Sequence, residues 1–334
     1  HIRIKERLLP SYEKAKSRAV SKDSLIREQV ALDRRTPPEI LFFLAQDIKE
    51  HVRLAVAKNE ATPWQAQTLL SEDPSLKVRL ALLENIAQKF SFGQYDADLK
   101  KTYLDKSTES ILKVLEYLAQ DTHNSICKKV SEIVVDREKL SLRFAPLFAE
   151  HPDTDIQCYF LRHAAVLEDT LLLALLENTT ERSVPLAIAC RHYISAPVVE
   201  QLVTIEDKEV LETVLQNDGA TLSEVSMHTI APKVKEDPHL QQCLAQRHDL
   251  SLDFIKKTCK FLSGNVLKDL VAHHTVEPKQ ATKLFRAFEK QLDKNEVNDL
   301  VDTVTRRFYQ HKTGDTPEEK AHQDFITGKL SEES

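Results

Sequence analysis

Three consecutive stretches decide the fold: IREQVALDRRTPPEILFFLAQDIKEH (26–51), VRLAVAKNEATPWQAQTLLSEDPSLK (52–77) and VRLALLEN (78–85). Ile26, Val52 and Val78 open the copies, which sets a period of 26 residues. Arginine follows each opener (Arg27, Arg53, Arg79), Thr36-Pro37 recurs as Thr62-Pro63, and LAQD at 44–47 returns as LSED at 70–73. A unit this short cannot bury its own apolar face, so the copies must stack on one another.

The second copy shows what each unit is. Val52, Ala55 and Val56 fall at helical spacing, with Arg53 off that stripe. Asn59 stands where the helix should run out, because short polar side chains compete for backbone bonds there. Thr62 is placed to cap the next helix, with Pro63 at its first position, where a missing N–H costs nothing. Trp64 to Leu70 then forms a short second helix that ends near Glu72. The expected fold is all-α: an α-solenoid, or α-α superhelix, of short helical hairpins with a period of about 26 residues.

Working outward, residues 1–25 read as an N-terminal capping helix and 26–257 as HEAT-like helical repeats. The pattern breaks at KFSFGQYDADLKKTYLDKS (89–107), an irregular insertion with an aromatic cluster of Phe90, Phe92 and Tyr95 beside Gly93 and charges at 96–101 expected to be exposed. It resumes at Leu118-Ala119-Gln120-Asp121, which echoes LAQD at 44–47, and Ile126 to Val130 stands where VRLAV stood. Later rounds begin at Ile156, Val184 and Val210, and the last two are again 26 residues apart. Residues 258–311 keep helical periodicity and read as a C-terminal helical cap. Residues 312–334 carry six acidic residues against three lysines and read as a polar, loosely ordered tail.

Composition narrows the function classes. The chain has 334 residues, 41% of them hydrophobic, enough for a large core. Its 5 glycines argue against a glycine-rich nucleotide fold or a hairpin-rich β-protein. A net charge of -6 gives no general reason to expect nucleic acid, although residues 1–35 hold ten Lys or Arg against five Asp or Glu. Cysteines at 127, 158, 190, 243 and 259 are too dispersed for a metal knuckle or a disulfide framework. They read as buried reduced thiols in a cytoplasmic protein. No secretory signal and no transmembrane segment is read from the sequence.

The copies at 52–85 resemble the leucine-rich-repeat variant and HEAT-like repeats of bacterial proteins. The later phrase SVPLAIACRHYISAPVVEQLVTIEDKEVLETVLQNDGATLSEV (183–225) resembles an uncharacterised helical-repeat family found mainly in alphaproteobacteria. The resemblance covers roughly residues 25–255 and implies an α-superhelix with no assigned enzymatic activity, discussed as an interaction or signalling module. Arg53, Asn59, Thr62 and Pro63, then Arg79 and Asn85, match the repeat signature, and no Thr-Pro follows Asn85. Some variant-repeat proteins hold an iron–sulfur cluster on cysteines that precede the repeats. No cysteine here precedes Cys127, so no cofactor is carried over.

Arg27, Arg53 and Arg79 should align as a ladder, with Asp47 and Asp73 near enough to pair with them. A structural ladder and a face for an anionic or acidic partner are both open readings. Trp64 reads as packing or as a binding anchor. Asp47, Asp73, Asn59, Asn85, Thr62 and Pro63 read as repeat-structural. His151, His163, His192, His248, His273 and His274 form no H-E-x-x-H pattern, and the Cys190–His192 and Cys158–His163 spacings do not share a helix face, so neither a metal site nor a catalytic residue is assigned.

The function read from these residues is a non-enzymatic scaffold, in bacterial signalling or regulation, that binds an unidentified protein or peptide along the extended surface stacked repeats create. A nucleic-acid-binding repeat protein is the alternative. It would use a basic N-terminal face of Arg27, Arg34, Arg35, Lys49, Arg53, Lys77 and Arg79. An enzyme of unrecognised type is the second alternative. Oligomeric state is not legible.

Overall fold

The computed structural model describes residues 12–101, 104–247 and 250, together with 298, 301, 302 and 306. The C-terminal cap expected at 258–311 lies outside the described residues except for helical positions at 298, 301, 302 and 306, and the tail at 312–334 lies wholly outside them. Among the described residues the secondary structure is helical, apart from one isolated parallel bridge between Ile194 and Ala220. The chain divides into two compact units, with the boundary in the sequence between Glu168 and Asp169.

In the first unit, helical residues 12–19 precede α1 (Ser24–Leu32), α2 (Pro38–Leu44), α3 (Glu50–Lys58), α4 (Trp64–Ser71) and α5 (Leu76–Ser91). The one-turn α6 (Asp96–Leu99), α7 (Lys106–Leu118), α8 (Asn124–Val134), α9 (Glu138–Phe148) and α10 (Thr154–His163) follow. The helices stack in two rows, in which equivalent helices of successive copies pack on one another. The first helices run α1 on α3 on α5 on α8 on α10, and the second helices run α2 on α4 on α7. This is the expected solenoid of helix pairs, with openers Val52, Val78 and Ile126 fully buried between copies. Burying such a side chain contributes about 1.5–3 kcal/mol, which is what holds helices of two turns together.

The second unit repeats the plan. It contains α11 (Asp169–Asn178), α12 (Ser183–Ala189), α13 (Ala196–Leu202), α14 (Lys208–Gln216), α15 (Glu224–Lys235) and α16 (Pro238–Ala245). Here α12 packs on α14 and α14 on α16, while α11 packs on α13 and α13 on α15.

A second ladder, of asparagines, ties the first helices together. Asn59 Nδ2 donates to the carbonyls of Ala31 (2.7 Å) and Asp33 (3.0 Å) at the end of α1. Asn85 Nδ2 does the same to Ala57 and Asn59 (2.9 Å each), and Asn217 Nδ2 to Ala189 (2.8 Å) and Arg191 (2.7 Å). The last carbonyls of a helix have no intrahelical donor, and each copy's asparagine supplies one for the copy before. After Asn217 the role passes to Arg247, whose buried guanidinium donates to the carbonyls of Leu215 (3.3 Å), Asn217 (2.8 Å) and Ala220 (2.8 Å).

Several expectations are corrected. Thr62 does not cap α4: Pro63 occupies the N-cap position and no side chain caps the helix. The Thr62 hydroxyl turns back and donates to the Val56 carbonyl at 2.6 Å, as Thr36 does to Val30 at 2.6 Å. The threonine thus closes the turn behind it. In the third copy, where no Thr-Pro follows, α5 continues past Asn85 to Ser91. The Asn85 Oδ1 is consequently left without a partner, whereas Asn59 Oδ1 accepts the turn amide of Ala61 at 2.9 Å. Inside a continuing helix that amide is already bonded.

Gly93 (φ +69°) stops α5. The amides of Gly93 and Gln94 donate to the carbonyls of Phe90 and Lys89, each at 3.0 Å, the paired bonds of a left-handed helix end. Phe90 and Tyr95 pack with ring centroids 4.7 Å apart, but Phe92 points to solvent and is not part of the cluster. Asp98 is buried rather than exposed. The Thr108 hydroxyl, with Lys101 and the Asp105 amide, holds its carboxyl down to about 2, so it pins the insertion to the start of α7. Of the thiols, Cys127 and Cys243 are buried, Cys158 is half-buried and Cys190 is exposed. Cys259 lies outside the described residues.

Candidate functional site

The repeated arginines sit near the starts of the first helices and reach across to the loop that ends each hairpin. Arg27 donates to both carboxylate oxygens of Asp47 (2.6 and 2.9 Å), Arg53 to both of Asp73 (2.6 and 3.1 Å) and Arg79 to both of Asp121 (2.7 and 3.2 Å). The remaining terminal nitrogen of each arginine donates to a carbonyl six residues earlier: Ser21 (2.8 Å), Asp47 (2.8 Å) and Asp73 (2.6 Å). Asp47 and Asp73 therefore each take the arginine of their own copy on the side chain and the arginine of the next copy on the carbonyl, while Asp121 takes Arg79 on its side chain. Each aspartate also accepts the amide two residues on, at 2.9 Å in all three cases.

The spacing from arginine to aspartate is 20 residues in the first two rungs and 42 in the third, so the ladder closes across the insertion. Burial pushes the Asp47 carboxyl up, but the bonds from Arg27 and the Lys49 amide outweigh it and hold it below the usual carboxylate range. The same balance, with the His123 amide and Arg79, lowers Asp121. The fourth rung has no arginine. Cys127 takes the position, its Sγ 3.2 Å from the Asp121 carbonyl, and Asn124 donates to Asp153 instead. All three guanidiniums are largely enclosed, with every nitrogen engaged within the chain. The ladder is a brace between copies and presents no free cation to an anionic partner.

Two of the other basic residues of the N-terminal face are paired with carboxylates. Arg34 pairs with Glu60 (2.7 Å) and Arg35 with Asp33 (3.4 Å), both exposed and therefore weak. Trp64, the first residue of α4, is half-buried with the Lys106 ammonium 5.7 Å from its ring centroid.

What the second helices leave uncovered is apolar. Phe43, Leu69 and Tyr117 each stand one residue before the buried leucine of the Leu-x-x-Asp signature (Leu44, Leu70, Leu118), so they occupy equivalent positions in three copies. All three are exposed, Phe43 and Tyr117 by 53% and 52%. Two grooves lie among these helices. One, of about 310 Å³, is lined by Pro38, Glu39, Phe42, Pro63 and Gln65. The other, of about 360 Å³, includes Glu72, Pro74, Arg79, Tyr117 and Gln120. The stripe went unread in the sequence because one apolar residue per turn beside a buried one looks like core. Its signal was there, in an aromatic or leucine that recurs next to the signature leucine.

Among the described residues, the side chains that could gather round a metal ion are Glu212, His239 and Cys243 in the second unit. None was singled out from the sequence as a ligand. Of the histidines weighed there and not assigned as ligands, His248, His273 and His274 lie outside the described residues. Among the described residues no helix is long and apolar enough to cross a membrane.

Residues 156–320 match a family model described as an uncharacterised protein conserved in bacteria (DUF2336). The match begins inside α10 and takes in the second unit, so the Arg–Asp ladder and the apolar stripe lie outside it. No curated protein matches the chain.

Proposed function

We propose that this chain is a non-enzymatic scaffold of bacterial signalling or regulation that binds a protein or peptide through the second helices of its first unit. The observation that carries this reading is the exposed stripe of Phe43, Leu69 and Tyr117, presented at equivalent positions by three copies. Exposed large apolar side chains, with Tyr117 lining a groove that Glu72 and Gln120 also line, have the make-up of a binding surface with an apolar centre and a polar margin. The buried Arg–Asp ladder fixes the spacing between copies and so keeps the contact positions in register.

The test is affinity capture from bacterial lysate with the full chain and two variants. Phe43→Glu combined with Tyr117→Glu should lose the captured partner, since central aromatic contacts commonly contribute 2 kcal/mol or more, roughly thirtyfold in affinity. Val225→Glu, at an exposed apolar position of the second unit, should retain it. A partner held equally by a folded stripe variant, or none held by the wild-type chain, would overturn the reading.

A further inference from the structure

In the second unit, the two first helices α14 and α16 lie side by side. His239 and Cys243 are four residues apart on α16, which puts both on one face, and Glu212 faces them from the middle of α14. His239 Nε2 lies 2.8 Å from Glu212 Oε1 and 3.9 Å from Cys243 Sγ, and one ligand atom from each of the three residues falls within 4.8 Å of the others. Gln216, one turn after Glu212, donates to Glu212 Oε1 (3.1 Å) and to Cys243 Sγ (3.5 Å), so a fourth polar side chain converges on the same point.

From these contacts we propose that Glu212, His239 and Cys243 form a binding site for a thiophilic divalent transition-metal ion, zinc first among them. The donor set is the argument. One thiolate, one imidazole and one carboxylate are the three ligand types zinc accepts, and tetrahedral bond lengths require sulfur and nitrogen about 3.5 Å apart and nitrogen and oxygen about 3.3 Å apart. The present separations of 3.9 and 2.8 Å reach those values with shifts of about half an ångström, which side-chain rotation supplies.

Hard cations are disfavoured by the sulfur, and a disulfide is not an alternative because Cys243 is a free, buried thiol. His239 is exposed, so the fourth coordination position opens to solvent, where a water or the carbonyl of a reoriented Gln216 amide completes the tetrahedron. Lys208, a turn before Glu212 on α14, is held by Asp237 at 2.5 Å. The site bridges consecutive copies, so metal binding clamps α14 to α16 and stabilises the second unit by mass action.

The test is titration of the untagged, reduced full-length chain with Co²⁺, read by the thiolate-to-cobalt charge-transfer band and by displacement with Zn²⁺. The expected result is one Co²⁺ per chain, a raised melting temperature and proton release on binding. Cys243→Ser should abolish the band. His239→Ala and Glu212→Gln, both at accessible side chains, should each weaken binding by at least about a hundredfold, the top of the range for changes outside the ligand set. Cys190→Ser should leave binding unchanged. Absence of a charge-transfer band in the wild-type chain, a band that survives Cys243→Ser, or unchanged affinity in His239→Ala would overturn the site.

Discussion

Replacing Asn59 by alanine should be one of the most damaging single polar substitutions in the first unit, and its cost can be worked from three bonds. The side chain is buried and its amide serves the Ala31 and Asp33 carbonyls at 2.7 and 3.0 Å, while its Oδ1 accepts from Ala61 at 2.9 Å. Each buried group left without a partner costs about 1–3 kcal/mol, but water can reach the half-exposed Asp33 end, so the total should be about 3 kcal/mol. Asn85→Ala is the internal comparison. It also removes two carbonyl donors, but its Oδ1 is already unpartnered, so deleting that oxygen relieves a penalty. Alanine further favours the helix interior by about 0.5 kcal/mol. Asn85→Ala should therefore cost only about 1 kcal/mol. The assay is urea unfolding followed by the fluorescence of Trp64, the one tryptophan in the chain, which lies in the first unit and so reports on it. If Asn59→Ala cost under about 1 kcal/mol, or Asn85→Ala cost the more, the ladder would not be what joins the copies.

Three further outcomes follow from the same geometry. Asp73→Ala should destabilise the first unit by about 3 kcal/mol because it strands the Arg53 guanidinium, and adding Arg53→Met should recover part of that loss; a double-mutant cycle with no coupling would refute the brace. Gly219→Ala should cost more than about 2 kcal/mol and break the Ile194–Ala220 bridge, since a Cβ there would sit 1.7 Å from the His192 carbonyl oxygen; a variant with unchanged melting behaviour would contradict that close approach. The carboxyls of Asp47, Asp98, Asp121 and Asp207 all lie below their unfolded value of about 3.9, with Asp98 and Asp207 at about 2. Their contribution is full above the unfolded value and fades as the pH falls toward 2, so urea midpoints should drop between pH 5 and pH 3 and be insensitive to pH above 5.

The helical repeat was legible because it is written locally. Which residues face the core follows from the 3.6-residue turn, and a period of 26 is visible wherever the same core positions recur. The echo of LAQD at 118–121 even located the resumed copy, and Asp121 closes the third rung of the ladder as Asp47 and Asp73 close the first two. Proline placed the starts of α2 and α4 for the same local reason, a fixed φ with no donor to lose.

What the sequence could not assign were the partners, because a polar side chain reaches residues that only stacking brings near. Proximity in the chain set Asp47 beside Arg53, yet its carboxylate pairs with Arg27, 20 residues earlier, and gives Arg53 only its carbonyl. The Thr62 hydroxyl could cap forward or bond backward, and the turn geometry chose backward. Asp98 looked like one more surface charge until α7 covered it. Glu212, His239 and Cys243 are unremarkable along the chain, being 27 residues and one helical turn apart, and meet only because α16 stacks on α14. Periodicity thus determined the helices and their order, since it depends on each residue's own turn of backbone. The register between stacked copies, a property of side chains from different copies packing together, decided the ion pairs, the exposed stripe and the metal-ligand cluster.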